Sequence, residues 1–321
     1  MTRFKAAVVQ MGPVPFDKAA TVEKVISFIH EAAAQGAKLI VFPEATISGY
    51  PKGADFGARV GGRLPRGREE FLRYFNGAIS VPGPEIDQLC EAASEAGTYI
   101  VIGVMEKELG TQYCTSVHIS PTEGLLGKHR KLIPTAMERL VWGSGDGSTM
   151  PVHDTSIGRL GTVICWENYM PLLRTYMYSK GVQLYCAPTA DDRDIWLPSM
   201  QHVALEGRCF VFSSCQYITR GEFFEDYDAI QGNEPDVVLM RGGSAIINPL
   251  GEVIAGPVYE EEAILYADID LEDITRGNFD LDTVGHYSRP DIFTLVVDER
   301  EKKNVVTQDE ARKTKLIDLV Y

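Results

Sequence analysis

The sequence predicts an α/β protein with central sheets and helices outside them. Two observations carry this. Short apolar runs of strand type alternate with segments whose apolar residues recur at helical spacing. Several of those runs stop at a proline, a charged residue or a cysteine, as strands do at the carboxyl edge of an open sheet.

The elements follow in chain order. FKAAVVQ reads as the first strand. Val22, Val25, Ile26, Ile29 and Ala33 then fall on one helical face, and Gly36 stops the helix. KLIVF is a buried-type strand ending at Pro43–Glu44. From Ser48 to Pro84 the chain is rich in Gly, Arg and Pro and reads as a long irregular stretch. A helix is predicted from Glu85 to Ala96, followed by the strand YIVIGV and a second strand near Cys114 to Ser120. Strands also fit LGTVI, VQLYC, CFVFSS, SAIIN and AILYADI, and helices fit Pro171 to Lys180 and Trp196 to Glu206. NPLG at Asn248 is a hairpin signal. The acidic stretch from Gly221 to Arg241 reads as a surface insertion. The sequence divides into one domain, 1–297, and a charged tail, 298–321.

Composition narrows the function. A formal net charge of -14 argues against nucleic acid as a partner. Arg59, Arg63, Arg66, Arg68 and Arg73 do cluster, but without an aromatic repeat, so a solvated loop or subunit contact is the expectation. MTRFKAAVVQ lacks the apolar length and small-residue cleavage site of a signal peptide, and no apolar run reaches the roughly 18 residues of a membrane span. A cytoplasmic protein with reduced thiols and no membrane partner is expected. The six cysteines contain no C-x-x-C pair, and no paired His spacing accompanies them, so no metal site is expected.

Three strand ends carry candidate chemistry. Glu44 follows FP at a sheet edge, where a carboxylate serves either a turn or a ligand. In GKHRKLIPT, Leu132 and Ile133 draw a basic run inward, so Lys131 reads as a half-buried lysine able to stabilise negative charge; a solvated basic turn is the competing reading. Glu138 lies downstream as a second carboxylate or a partner for Arg139. In VICWEN, Cys165 stands where an apolar run meets a helical segment, so the helix dipole is expected to lower its pKa. No His/Asn signature of the papain type and no G-x-S-x-G elbow is present. What remains is Glu, Lys and Cys, each on its own strand–loop edge, a pattern that supports a cysteine hydrolase with a carboxylate as base.

FPEA, GKHRKLIPTAMERLVWGSGDG, CWENYMPLLRTYMYSKG, YCAPTAD and GHYSRPDIF resemble, in order, the blocks of the nitrilases, the nitrile-hydrolysing branch of the carbon–nitrogen hydrolase superfamily. The likeness spans roughly Phe4 to Val297 and is similar to plant nitrilases and to bacterial enzymes acting on aromatic or arylaliphatic nitriles. It implies a four-layer α-β-β-α sandwich and a catalytic triad at Glu44, Lys131 and Cys165, with Glu138 as a further carboxylate. It implies hydrolysis of a nitrile by two waters through a thioimidate and a thioester, with no metal or organic cofactor. It also implies a homo-oligomer built from paired subunits, as a spiral or filament, with contacts around Arg59 to Arg73 and Gly221 to Arg241. Trp166, Tyr50, Thr189, Trp142 and His129 are the candidate substrate-binding residues. An amidase or carbamoylase of the same superfamily, and a cyanide-degrading enzyme, are the alternatives.

Overall fold

Alternating side chains on one strand face two different layers, and this sets the architecture. On β1 (Arg3–Gln10), Ala7 and Val9 meet helices, whereas Ala6 and Val8 meet a second sheet. The computed structural model describes residues 2–308. After β1 come α1 (Lys18–Ala34) and β2 (Ala37–Val41), a small hairpin of β3 (Ala58–Arg59) and β4 (Gly62–Arg63), then α2 (Arg66–Gly77) and α3 (Pro84–Ala96). The strands β5 (Tyr99–Glu108), β6 (Thr111–Ser120) and β7 (Gly124–Arg130) follow as a meander. The second half contains β8 (Val152–Thr155), β9 (Gly158–Thr162), α4 (Pro171–Ser179), β10 (Leu184–Thr189), α5 (Trp196–Gly207) and β11 (Phe210–Cys215). It closes with β12 (Tyr217–Thr219), β13 (Val238–Ile247), β14 (Val253–Tyr259), β15 (Ala263–Asp270) and α6 (Glu272–Gly277).

One sheet runs β15-β1-β2-β5-β6-β7; the other runs β12-β13-β11-β10-β9-β8, with β14 on β13. Phe4, Leu39, Val41 and Val101 of the first interdigitate with Leu160, Leu184, Phe210 and Phe212 of the second. α1 and α3 cover the first sheet through Val22, Val25, Ile29, Ile86 and Leu89. α4 and α5 cover the second through Leu173, Met177, Met200 and Val203. The result is the α-β-β-α sandwich that the resemblance implies. Within each sheet the central strands are parallel.

Two expectations need correction. The stretch from Ser48 to Pro84 is not irregular throughout, because it contains α2. That helix buries Tyr74 while two of its three arginines face carboxylates: Arg66 meets Asp55 at 2.7 Å, and Arg73 meets Asp226 at 2.9 Å. An arginine-rich helix with so narrow an apolar stripe gives almost no periodic signal. The segment from Gly221 to Arg241 is likewise more than a surface insertion. Phe223 and Tyr227 are buried in an aromatic cluster with Phe16, and β13 begins inside the segment. The charged stretch from residue 298 touches the body as far as Lys302, whose N–H donates to Asp146 at 2.7 Å, while Glu299 accepts from Tyr176 and Lys180. The tail beyond Gln308 lies outside the described residues. Among the described residues, no helix is long and apolar enough to cross a membrane.

Candidate active site

The carboxyl ends of β2, β7 and β9 converge. Past β2, Phe42 and Pro43 lead to Glu44, and Ala45 turns the chain with φ +51°. This turn lies against β5 at Gly103, whose N–H donates to Pro43 O at 3.1 Å. A Cβ on Gly103 would fall 2.3 Å from that oxygen. Gln216 Nε2 holds the Glu44 carbonyl at 2.7 Å. Past β7, Lys131 N–H donates to Cys114 O at 2.8 Å. Past β9, Cys165 opens a five-residue 3-10 turn, Cys165–Tyr169, with φ +51°. A non-glycine residue in this region is strained, and strain of this kind concentrates at functional sites.

Glu44, Lys131 and Cys165 are all buried, and the lysine is 1 % exposed rather than half-buried. Its ammonium donates to two carboxylates. Lys131 Nζ donates to Glu44 Oε1 at 2.7 Å and to Glu138 Oε2 at 2.8 Å. Glu138 also accepts Tyr50 Oη–H at 2.7 Å and Thr135 N–H at 2.6 Å, whereas Arg139 turns away to Pro134 O. The Cys114 thiol donates to Glu44 Oε1 at 3.4 Å. Burial raises the Glu44 pKa, Lys131 opposes the rise and Glu138 adds to it. For Lys131, burial lowers the pKa, but Glu44, Cys165 and Glu138 hold it well above the ordinary lysine value. The ammonium is therefore a fixed cation in a site of low dielectric.

The lowered thiol pKa expected for Cys165 is not found. Burial and the nearby Glu44 charge push it up to about 12, with Lys131 and Thr189 acting in the opposite sense. The helix argument fails because a single 3-10 turn follows the cysteine, and α4 starts only at Pro171. A neutral thiol beside a carboxylate needs that carboxylate as its base.

The five candidate binding residues take different places. Tyr50 and Trp142 border a cavity of about 580 Å³ together with Glu138, with the exposed Met137, Leu140 and Ile230 also lining it. Trp142 is in the buried cluster that holds Cys165, and its ring centroid lies 5.4 Å from Lys131 Nζ. Trp166 and Thr189 do not border that cavity. Trp166 is 40 % exposed, its Nε1–H on Asp191 at 2.8 Å and the Arg193 guanidinium 4.8 Å over its ring. Thr189 Oγ1 donates to Cys165 Sγ at 3.2 Å.

His129 is not a pocket residue. It is buried, with Nδ1 at 2.6 Å from Thr149 O and Nε2 at 2.9 Å from Glu167 Oε2. Glu167 also accepts Leu132 N–H at 2.7 Å and Ile164 N–H at 2.9 Å. These are the neighbours of Lys131 and Cys165, so one carboxylate ties the two loops together. Glu167, Gly103, Gln216 and Cys114 were not singled out from the sequence. Of these, only Glu167 had a visible signal, its place inside CWEN.

The sequence pattern of the carbon–nitrogen hydrolases matches residues 5–278. The chain belongs to the carbon–nitrogen hydrolase family. Within this family it is 60% identical to an aliphatic nitrilase of Sinorhizobium fredii (strain HH103), over 96% of this chain and 100% of the relative. It is 52% identical to nitrilase 2 of Arabidopsis thaliana, over 95% and 91% of the two chains. Among solved structures, the C. elegans NitFhit protein superimposes with a TM-score of 0.72 at 20% identity, over 95% of this chain and 69% of that one, which speaks to the fold alone. The bacterial and plant likeness agrees with the sequence blocks.

Proposed function

We propose that this carbon–nitrogen hydrolase is a nitrilase that converts R–C≡N and two waters into R–COOH and ammonia, with Cys165 as nucleophile. The observation that carries this reading is a buried lysine held between two carboxylates, Glu44 and Glu138, beside a buried thiol that one of them can deprotonate. High identity to relatives named nitrilases supports the nitrile over the amide as substrate.

The steps follow from the positions. Glu44 takes the proton of Cys165, and the sulfur attacks the nitrile carbon to form a covalent thioimidate. Negative charge develops on nitrogen, and the Lys131 cation stabilises it. The proton now on Glu44 moves to that nitrogen, and Glu44 is free to accept again. It then takes a proton from water as the oxygen adds to the thioimidate carbon. Glu44 hands that proton to the nitrogen, and as the tetrahedral intermediate collapses Glu44 carries its hydroxyl proton to the nitrogen too, so ammonia leaves, a thioester remains and Glu44 is again ionised. A second water, activated by Glu44, releases the acid and returns the thiol. Glu138 positions Lys131 and accepts the Tyr50 hydroxyl, and Glu138 and Tyr50 both line the cavity.

The cavity offers apolar and aromatic surface from Tyr50, Trp142, Met137 and Ile230, which suits a nitrile's organic tail. The Sinorhizobium relative's name brings aliphatic nitriles into the range to be tried beside aromatic and arylaliphatic ones. The chain is also proposed to act in the cytoplasm, its six cysteines being free, and to form a homo-oligomer of paired subunits. The fully exposed Val60 at the tip of the β3–β4 hairpin and the exposed Leu64 beside it support a contact at that face. Light scattering measures the assembly.

The test of the activity is a panel of nitriles and their matching amides, with acid, amide and ammonia measured. Acid and ammonia from nitriles bear the reading out; hydrolysis of the amides alone overturns it. Full turnover by Cys165→Ala removes the nucleophile assignment.

A further inference from the structure

The nucleophile's sulfur touches a hydroxyl whose only proton points at it. Thr189 ends β10, and its side chain is fully buried. Its Oγ1 accepts the Asp191 N–H at 2.9 Å. That leaves the hydroxyl proton for Cys165 Sγ, 3.2 Å away. The turn that sets this geometry is anchored twice. The Asp191 carboxylate accepts Arg193 N–H at 3.2 Å and Nε–H at 2.7 Å, and it accepts Trp166 Nε1–H at 2.8 Å. Trp166 directly follows Cys165, so the acceptor sulfur and the donor hydroxyl are locked to one another through Asp191.

We propose that Thr189 is a catalytic residue, donating its hydroxyl hydrogen bond to the Cys165 thiolate as Glu44 withdraws the proton. The hydroxyl keeps its own proton throughout; the thiol proton goes to Glu44. The proposal rests on Cys165 as the reacting thiol. Glu44, Glu138, Lys131, Arg193 and Cys215 are the other charged or titratable groups whose fields meet this sulfur. The first two disfavour the thiolate and Lys131 favours it. A fixed neutral donor is what such a site can add without bringing a further charge into a buried space.

The test compares the full-length protein with Thr189→Ser, Thr189→Val and Thr189→Ala. Alkylation of Cys165 by iodoacetamide is followed across pH, with peptide mass spectrometry separating it from the other cysteines. Val and Ala are expected to slow alkylation at fixed pH by about tenfold and to move its pH midpoint upward, while Ser stays within about threefold of the parent. Unchanged alkylation in Thr189→Val overturns the proposal. So does slowing in Ala alone, which marks a packing effect of the smaller side chain. Circular dichroism verifies folding, and if Val does not fold, the Ala and Ser pair decides: Ala slow with Ser normal supports the donor, and Ala equal to Ser overturns it. Because alkylation needs no nitrile, this result is separate from the proposed activity. Turnover by Cys165→Ala would instead overturn the reading on which the proposal rests.

Discussion

The Cβ that Gly103 lacks would stand 2.6 Å from the Cα of Glu44. The same methyl would meet Pro43 O at 2.3 Å and Ala45 N at 2.5 Å, all of it backbone that cannot rotate aside. Gly103→Ala is therefore expected to push the Glu44 turn away from β5. A displacement near 1 Å at a catalytic group costs about 100-fold in rate. The overpacking itself costs about 1–3 kcal/mol of stability. Turnover and thermal unfolding measured on one sample separate the two: a folded protein with kcat/KM lowered about 100-fold is the expected result.

In the proposed mechanism Glu44 must be ionised to accept the thiol proton. Its folded-state pKa is raised, by burial first and by the Glu138 charge in addition. The acid limb of kcat/KM should therefore lie above the ordinary glutamate value of 4.5. Activity falls as pH drops through that raised value. Glu138→Gln removes one of the raising charges, so its acid limb should move to lower pH even as kcat falls about tenfold or more from the loss of a Lys131 partner. A pH–rate profile of both proteins checks the direction; an unmoved limb would separate the limb from Glu44.

His129 supplies a linkage of opposite sign. Burial lowers its pKa, but the Glu167 carboxylate more than reverses this, so the folded value lies above the ordinary 6.5. A raised folded value means that protonation stabilises the fold. That stabilisation is complete below the unfolded pKa and is lost as pH rises through the folded one. His129→Gln should thus cost most at pH below about 6.5, on the order of 3–5 kcal/mol for a broken buried pair, and less at alkaline pH. Urea unfolding of parent and variant at several pH values reads this out. The prediction fails if the gap widens toward alkaline pH.

Part of this site was legible because Glu44 and Cys165 each follow an apolar run that stops. Lys131 was found from the apolar pair Leu132 and Ile133 that draws its basic run inward, and Glu138 was left as a second carboxylate or a partner for Arg139 until the resemblance implied its place in the site. The residues that position them were not legible. Gly103 sits inside an ordinary strand, where nothing local marks the backbone that will press on it. Cys114 and Gln216 act through partners more than 60 positions away. The direction of the thiol's pKa differs from the sequence expectation for a related reason: the local cue is a helix start, but burial first, and then the Glu44 charge arriving from the other sheet, push it up.

That last point bears on how the protein loses activity. Glu44 and Lys131, the proposed base and cation, ride on the first sheet, and Cys165, the proposed nucleophile, and Thr189 ride on the second. The proposed reaction therefore takes place on a seam, and a slight slip of one sheet over the other would separate donor from acceptor while each sheet kept its own hydrogen bonds. On heating, turnover should fade before the circular dichroism signal does, making catalysis a sensitive gauge of how tightly the halves are registered.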